Sequence, residues 1–206
     1  MHGQVKPYRI NLSILPVETK EQLFRHFESY IPLSDSLKKE LEDRIAFSTF
    51  KKGQEIHNAG KVCTESHFIF QGLTRLYFLK DGKEITEYFS SEGEWVNSPR
   101  SFTQRTTDIY YIEALETTEV FTLKVQDLVF LFDHFPEMER YARLSMNTVF
   151  GHFLERITSM RFTTAKEKYE HFCHTYHDIY HRIPLGMIAS YLGITQETLS
   201  RIRAER

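Results

Sequence analysis

The sequence predicts an α+β chain: an N-terminal antiparallel β-roll, jelly-roll-like in its strand pattern, then a long helix and a terminal helix-turn-helix. Three observations carry this. Apolar positions recur every second residue between Phe50 and Leu123, punctuated by glycine turns. From Val125 the period becomes helical, and Glu137–Met160 contains no proline and one glycine. The last twenty-odd residues read as helix, tight turn, helix.

Composition sets the frame. The 206 residues are 41% hydrophobic and 14% aromatic, which is ample for a packed core. The net charge of −2 argues against broad, nonspecific coating of nucleic acid. From Arg161 onward, lysine and arginine exceed acids by only two, so any positive face is local. Cys63 and Cys173 lie far apart and form no metal or redox pair. No apolar run approaches the ~18–20 residues that span a bilayer, and no secretory leader is visible, so the expected location is cytoplasmic, with no membrane partner.

The elements follow in chain order. Leu23, Phe24 and Phe27, then Leu37, Leu41 and Ile45, mark two helices over residues 20–47, separated by Pro32 and Ser34-Asp35. Strands are expected at Glu55–His57, His67–Gln71, Leu73–Leu79, Glu84–Ser90, Glu94–Val96, Tyr110–Leu115 and Glu119–Leu123. Asp81-Gly82 between two apolar runs is a strong hairpin signal. Val125–Phe135 reads as a short helix ended by Pro136. The next helix, roughly 24 residues or ~36 Å long, carries apolar residues on more than one face: Met138, Tyr141, Leu144, Val149, Phe150, Phe153, Leu154, Ile157 and Met160. One face can pack on the roll. The other asks for a second partner, either an identical helix from a homodimer mate or a second domain of the same chain; the mate is the more economical.

The terminal pair holds the richest chemistry. Pro184 suits a first turn, Leu185, Ile188, Ala189 and Leu192 share a face, and Gly193 permits a sharp turn. Thr195 is a good N-cap, while Leu199 and Ile202 bury the second helix's inner side. Facing outward are Gln196, Glu197, Thr198, Ser200, Arg201 and Arg203, groups suited to base edges and phosphates. A plain αα-hairpin explains the apolar face equally well but not this polar one.

Taken together, these parts resemble the cyclic AMP receptor protein / fumarate-nitrate reductase regulator (Crp/Fnr) family of bacterial transcription regulators. Phe50–Ile56, Asn58-Ala59-Gly60, His67–Gly72, Gly82–Thr86 and Gly93-Glu94-Trp95-Val96 look like the glycine-punctuated strands of that family's effector domain. The resemblance covers residue 20 to the end. It implies a cyclic-nucleotide-binding-like effector domain over 20–135, a dimerisation helix over 136–160 and a helix-turn-helix domain over 161–206. The implied partners are double-stranded DNA, a second copy of the chain and RNA polymerase.

Family members that bind a cyclic nucleotide carry Gly-Glu-Leu and then Arg-Ser-Ala, with a carboxylate on the ribose and a guanidinium on the phosphate. Counting without gaps, Ser98 replaces that acid and Asp108 replaces that arginine. An aspartate repels a phosphate. Arg105 could substitute only if the loop were rearranged. Cyclic nucleotides are therefore not expected to bind in the usual mode, and no cofactor is expected. In the family geometry Trp95, Asn97, Ser98, Arg100, Ser101, Phe102, Arg105 and Asp108 would line the pocket. They would either receive an unknown small polar molecule or satisfy one another.

Other chemistries weigh less. Two distant cysteines cannot hold an iron–sulfur cluster. His57 and His67 are weak candidates for haem, and His171, His174, His177 and His181 read as a solvated helix face rather than a metal site. No His-x-His and Glu constellation lies on the strands, so no enzyme is expected. On the DNA side, the family's reading set corresponds to Gln196, Glu197 and Arg201. Glu197 can accept from cytosine, Arg201 can pair with guanine, and Gln196 suits adenine. Thr195, Thr198, Ser200 and Arg203 suit phosphate contacts. The sequence ends at Arg206, where the family usually continues into a β wing. The expectation is fewer phosphate contacts and a shallower salt dependence, unless the sequence is a piece of a longer one. The alternative function is a non-catalytic small-molecule or protein-binding module with degenerate DNA binding.

Overall fold

A computed structural model describes residues 9–162 and 164–205. Among the described residues, nine strands form two sheets. One has the order β1(Arg9–Asn11), β2(Ala46–Phe50), β9(Thr118–Lys124), β4(Glu65–Gln71), β7(Trp95–Val96). The other has the order β3(Glu55–His57), β8(Tyr110–Ala114), β5(Leu73–Lys80), β6(Lys83–Ser91). The strand pairs with resolved register are antiparallel, as the alternating pattern requires. The helices are α1(Val17–Glu28), α2(Asp35–Arg44), α3(Pro99–Gln104), α4(Val125–His134), α5(Pro136–Phe162), α6(Ala165–Thr175), α7(Leu185–Leu192) and α8(Gln196–Ala204).

All seven expected strands form, within two residues at each end. Two more were not foreseen. β1 and β2 extend the first sheet at its edge, Ala46 to Phe50 pairing in register with Thr122 to Thr118 of β9. β2 starts one residue after Ile45, the buried cap of α2, so the helical apolar spacing masks the change of period. α3 was also unforeseen. Pro99 opens it and Arg105 closes it at φ 57, a left-handed cap that seldom falls on arginine.

The chain divides into two compact units. The first comprises residues 1–76 and 89–145; the second comprises 77–88 and 146–206. The long helix is thus shared between them rather than standing alone. In the first unit Leu12, Leu23, Phe27, Leu37 and Leu41 of the N-terminal segment pack on Phe68, Phe121 and Leu123, with Leu131, Met138 and Tyr141 closing the cluster. In the second, Tyr169, Phe172 and Tyr176 pack with Ile188, Leu192, Leu199 and Ile202 as the buried residues of the helical bundle. Phe172, Tyr176 and Tyr191 are in mutual ring contact.

Gly72 is the tightest backbone position of the roll. Its φ is +120, and an added Cβ would lie 2.6 Å from the Thr118 Cα. Gly53 has a comparable positive φ of +76 but open space around it. Gly72→Ala is therefore expected to destabilise the protein by at least about 2 kcal/mol, against about 1 kcal/mol for Gly53→Ala. Urea unfolding midpoints check this, and equal midpoints for the two variants would contradict it.

Candidate functional site

Two places hold the candidate chemistry: the exposed side of α8 and the loop segment 97–108. α7 ends at Gly193, whose φ of 67 makes the turn. The Ile194 N–H donates to the carbonyl of buried Ala189 at 3.0 Å and closes the turn on the end of α7. Thr195 caps α8, its hydroxyl accepting the Thr198 N–H at 3.2 Å. Leu199 and Ile202 face inward and are buried. Gln196, Glu197, Ser200, Arg201 and Arg203 are exposed on the other side.

The seven residues expected to read DNA divide into two groups. The Thr195 and Thr198 hydroxyls lie 3.1 Å apart and build the helix start, leaving the outward side to the other five. The Glu197 carboxyl is held below the usual carboxylate range, first by its own backbone N–H and then by the Thr195 hydroxyl. Gln196 lies over α7: a Cβ on Gly186 would stand 3.3 Å from its Oε1. Gly186 was not singled out from sequence. The signal was a glycine in the first turn of a helix, which costs helix stability unless a neighbour needs the space.

The polar groups of the loop segment bond to one another and to the strands and turns beside it. The Ser98 hydroxyl, fully buried, donates to the Asp108 carboxylate. Asp108 Oδ1 accepts the Tyr110 N–H at 3.1 Å, and the Asp108 carbonyl accepts the Gly60 N–H at 2.9 Å. The Asp108 side chain is 2% exposed. His57 Nε2 lies 3.9 Å from Oδ1, and burial lowers the pKa of that ring more than Asp108 raises it. Ser101 accepts the Cys63 N–H at 2.8 Å and donates to the Thr106 carbonyl at 2.6 Å. Asn97 donates to Ser66 Oγ at 3.0 Å. Arg105 folds back onto the carbonyl and ring of Phe102, and Arg100 Nε donates to Gln104 at 3.4 Å. Both guanidinium groups are thus engaged within their own helix.

Residues 47–135 match the family model described as cyclic nucleotide-binding domain. Solved structures align along most of the chain. FixK2 of Bradyrhizobium japonicum is 19% identical, with a TM-score of 0.68 over 78% of this chain and 83% of that one. A Eubacterium rectale protein assigned to the Crp/Fnr family as a transcriptional regulator is 23% identical, with a TM-score of 0.67 over 86% and 87%. The chain has the Crp/Fnr fold. A CooA variant of Carboxydothermus hydrogenoformans aligns over 94% of this chain and 86% of that one, at 15% identity and a TM-score of 0.65. No curated protein matches.

Within the Crp/Fnr fold, three sequence expectations change place. Trp95 does not line the loop cluster. In the β4–β7 register Trp95 pairs with Phe68 and Val96 with His67, so alternation turns the indole away from the side Val96 occupies. The indole packs on Phe68 and Phe27, with ring centres 5.4 and 6.3 Å apart, and its N–H donates to the Tyr141 hydroxyl at 2.6 Å. Met138 and Tyr141, expected on the dimer helix, are 1% and 6% exposed in the first unit's own core. The sequence could not show that α1 and β7 cover the first turns of α5. Leu144 and Phe153 are half-buried, the latter against Tyr88, whose ring centre is 6.0 Å away. Val149 is exposed. The open apolar stripe starts at Met146 and runs through Val149, Phe150, Leu154, Ile157 and Met160.

Two histidines give the first unit an acid response. Burial lowers both His67 and His26 to about 4, from an ordinary value of 6.5. His67, fully enclosed, shares a 2.9 Å hydrogen bond with Thr122 Oγ1. The unfolded chain takes up these protons first, so the stability they contribute is complete above pH about 6.5 and is lost progressively as pH falls to about 4. Thermal midpoints are expected to fall through that window, and His67→Gln is expected to flatten the slope. An unchanged slope in the variant would contradict the assignment.

Proposed function

We propose that the chain is a homodimeric, DNA-binding transcription regulator of the Crp/Fnr type, whose effector site does not take cyclic nucleotides in the usual way. The observation that carries this is the exposed side of α8, which presents an amide, a carboxylate, a hydroxyl and two guanidinium groups around a buried Leu199–Ile202 spine. A helix of this kind reads base edges in the major groove: Arg201 matches guanine O6 and N7, Glu197 the cytosine amine and Gln196 adenine. Ser200 and Arg203 suit phosphates, and the proposed DNA domain comprises residues 161–206.

Support for the dimer comes from the open stripe of α5. Phe150 is 63% exposed and Met146 66%, on a helix whose earlier apolar residues are buried. Its positions recur every three or four residues, the spacing of a two-helix seam. A second copy of the same stripe is self-complementary and buries both. The proposed connecting segment is 136–160, following an effector domain over 20–135. RNA polymerase is the further partner this reading implies.

The loop chemistry supports the effector reading. Ser98 and Asp108, which ungapped counting sets against the family's ribose acid and phosphate arginine, bond to each other. No helix among the described residues is long and apolar enough to cross a membrane.

Two experiments test the reading. Selection of bound duplexes from a random library is expected to return paired half-sites about 10–10.5 base pairs apart, or a multiple of that. On the selected duplex, Arg201→Ala is expected to cost ~1–3 kcal/mol and to relax one position in each half-site. Recovery of no duplex would instead favour a non-catalytic binding module, and unchanged binding by the variant would reject the role of Arg201. Calorimetric titration with cyclic AMP and cyclic GMP is expected to show no binding, and micromolar affinity would overturn the effector reading.

A further inference from the structure

The outer half of the β5–β6 hairpin belongs to the second unit, together with the helices that follow Met146. Its turn falls at Asp81-Gly82, both residues in the left-handed region. β6 stands at the end of its sheet, so the N–H and C=O groups along its outer side have no strand to meet. Glu84 and Thr86, two residues apart, point such groups the same way.

One side chain satisfies both. The Ser190 hydroxyl of α7 donates to the Glu84 carbonyl at 2.8 Å, and its oxygen accepts the Thr86 N–H at 3.0 Å. A hydroxyl combines a donor and acceptor lone pairs on one atom, so serine closes the gap as a strand residue would. Next along β6, Arg156 of α5 donates to the Glu87 carboxylate at 3.0 Å and to the Thr86 carbonyl at 3.3 Å. Its guanidinium carbon stands 4.2 Å from the ring centre of Tyr191, the neighbour of Ser190. The Tyr88 ring then meets Phe153 and Tyr176. Strand residues 84–88 are therefore tied to α5, α7 and the end of α6. None of these ties uses an outward residue of α8.

We propose that the edge of β6 is a docking rail that fixes the orientation of the α7–α8 pair, with Ser190 as its positioning residue. The strand continues through Phe89 to Ser91, where the first unit resumes. Because the rail holds the back of α7 and leaves the reading side of α8 open, it orders the helix pair for DNA rather than blocking it. This last step rests on the DNA-binding reading above; the rail itself does not.

Amide hydrogen exchange on the full chain tests the rail, and duplex binding tests its use. Ser190→Ala is expected to speed exchange of the Thr86 amide roughly tenfold, with the circular dichroism spectrum unchanged. Ser190→Thr, which keeps the hydroxyl, is expected to retain slow exchange. On a selected duplex, Ser190→Ala is expected to weaken binding about 3- to 10-fold through lost preorganisation, and Glu87→Gln is expected to weaken it in the same direction. Unchanged Thr86 exchange in Ser190→Ala would overturn the rail. Faster exchange with undiminished duplex affinity would overturn its orienting role. If the native chain binds no duplex, the DNA reading fails separately, and the exchange result alone decides the rail.

Discussion

The Tyr141 hydroxyl is the hinge-pin of the structure. It accepts the Trp95 indole N–H at 2.6 Å and lies 2.7 Å from His26 Nε2. Burial keeps His26 neutral at ordinary pH, and a neutral imidazole with its proton on Nδ1 accepts a hydrogen bond from the Tyr141 hydroxyl through Nε2. Burial also pushes the phenol well above its usual range, which keeps that proton in place. One oxygen thereby joins α1, β7 and α5 inside an apolar cluster, where an unmet polar group would cost about 1–3 kcal/mol. The first turns of the long helix are rooted in the core of the first unit. Past Ser145 the helix carries an apolar stripe, Met146 to Met160, that is exposed among the described residues.

That asymmetry organises the function proposed for the chain. In the proposed dimer, the apolar stripe that α5 exposes from Met146 to Met160 meets the same stripe of a second copy. The same helix contributes Arg156 to the rail on which α7 rests. The proposed rail on β6, the proposed seam on α5 and the proposed reading helix α8 thus follow one another along the chain. The 97–108 loop stands apart in its chemistry. Its acid and hydroxyl bond to each other, and its two arginines fold onto their own helix. In the proposed regulator, control then enters through a molecule other than a cyclic nucleotide, or through none.

Much of this was legible in the residues. The terminal helix pair could be placed because Gly193, Thr195 and the Leu199–Ile202 spacing each act locally, within a turn or two. The roll's strands were legible because alternation and glycine turns are also local signals. β2 was hidden by Ile45, which continues the helical spacing of Leu37 and Leu41 while capping the helix. The positions of Trp95, Met138 and Tyr141 depend on which element covers which face, and no local period encodes that. Ser98 and Asp108 could be recognised as departures from a nucleotide site, but their mutual hydrogen bond needed the fold. Ser190 offered no signal at all. A serine on a short helix is unremarkable until a strand edge is set beside it.

The proposed dimer requires the exposed stripe of α5 to be a seam between two copies. Light scattering of the full chain at micromolar concentration measures this without any assumption about ligand or DNA. The expected mass is twice that of one chain, shifting toward a single chain when Phe150 is replaced by glutamate. A native chain that remains monomeric throughout the micromolar range would contradict it.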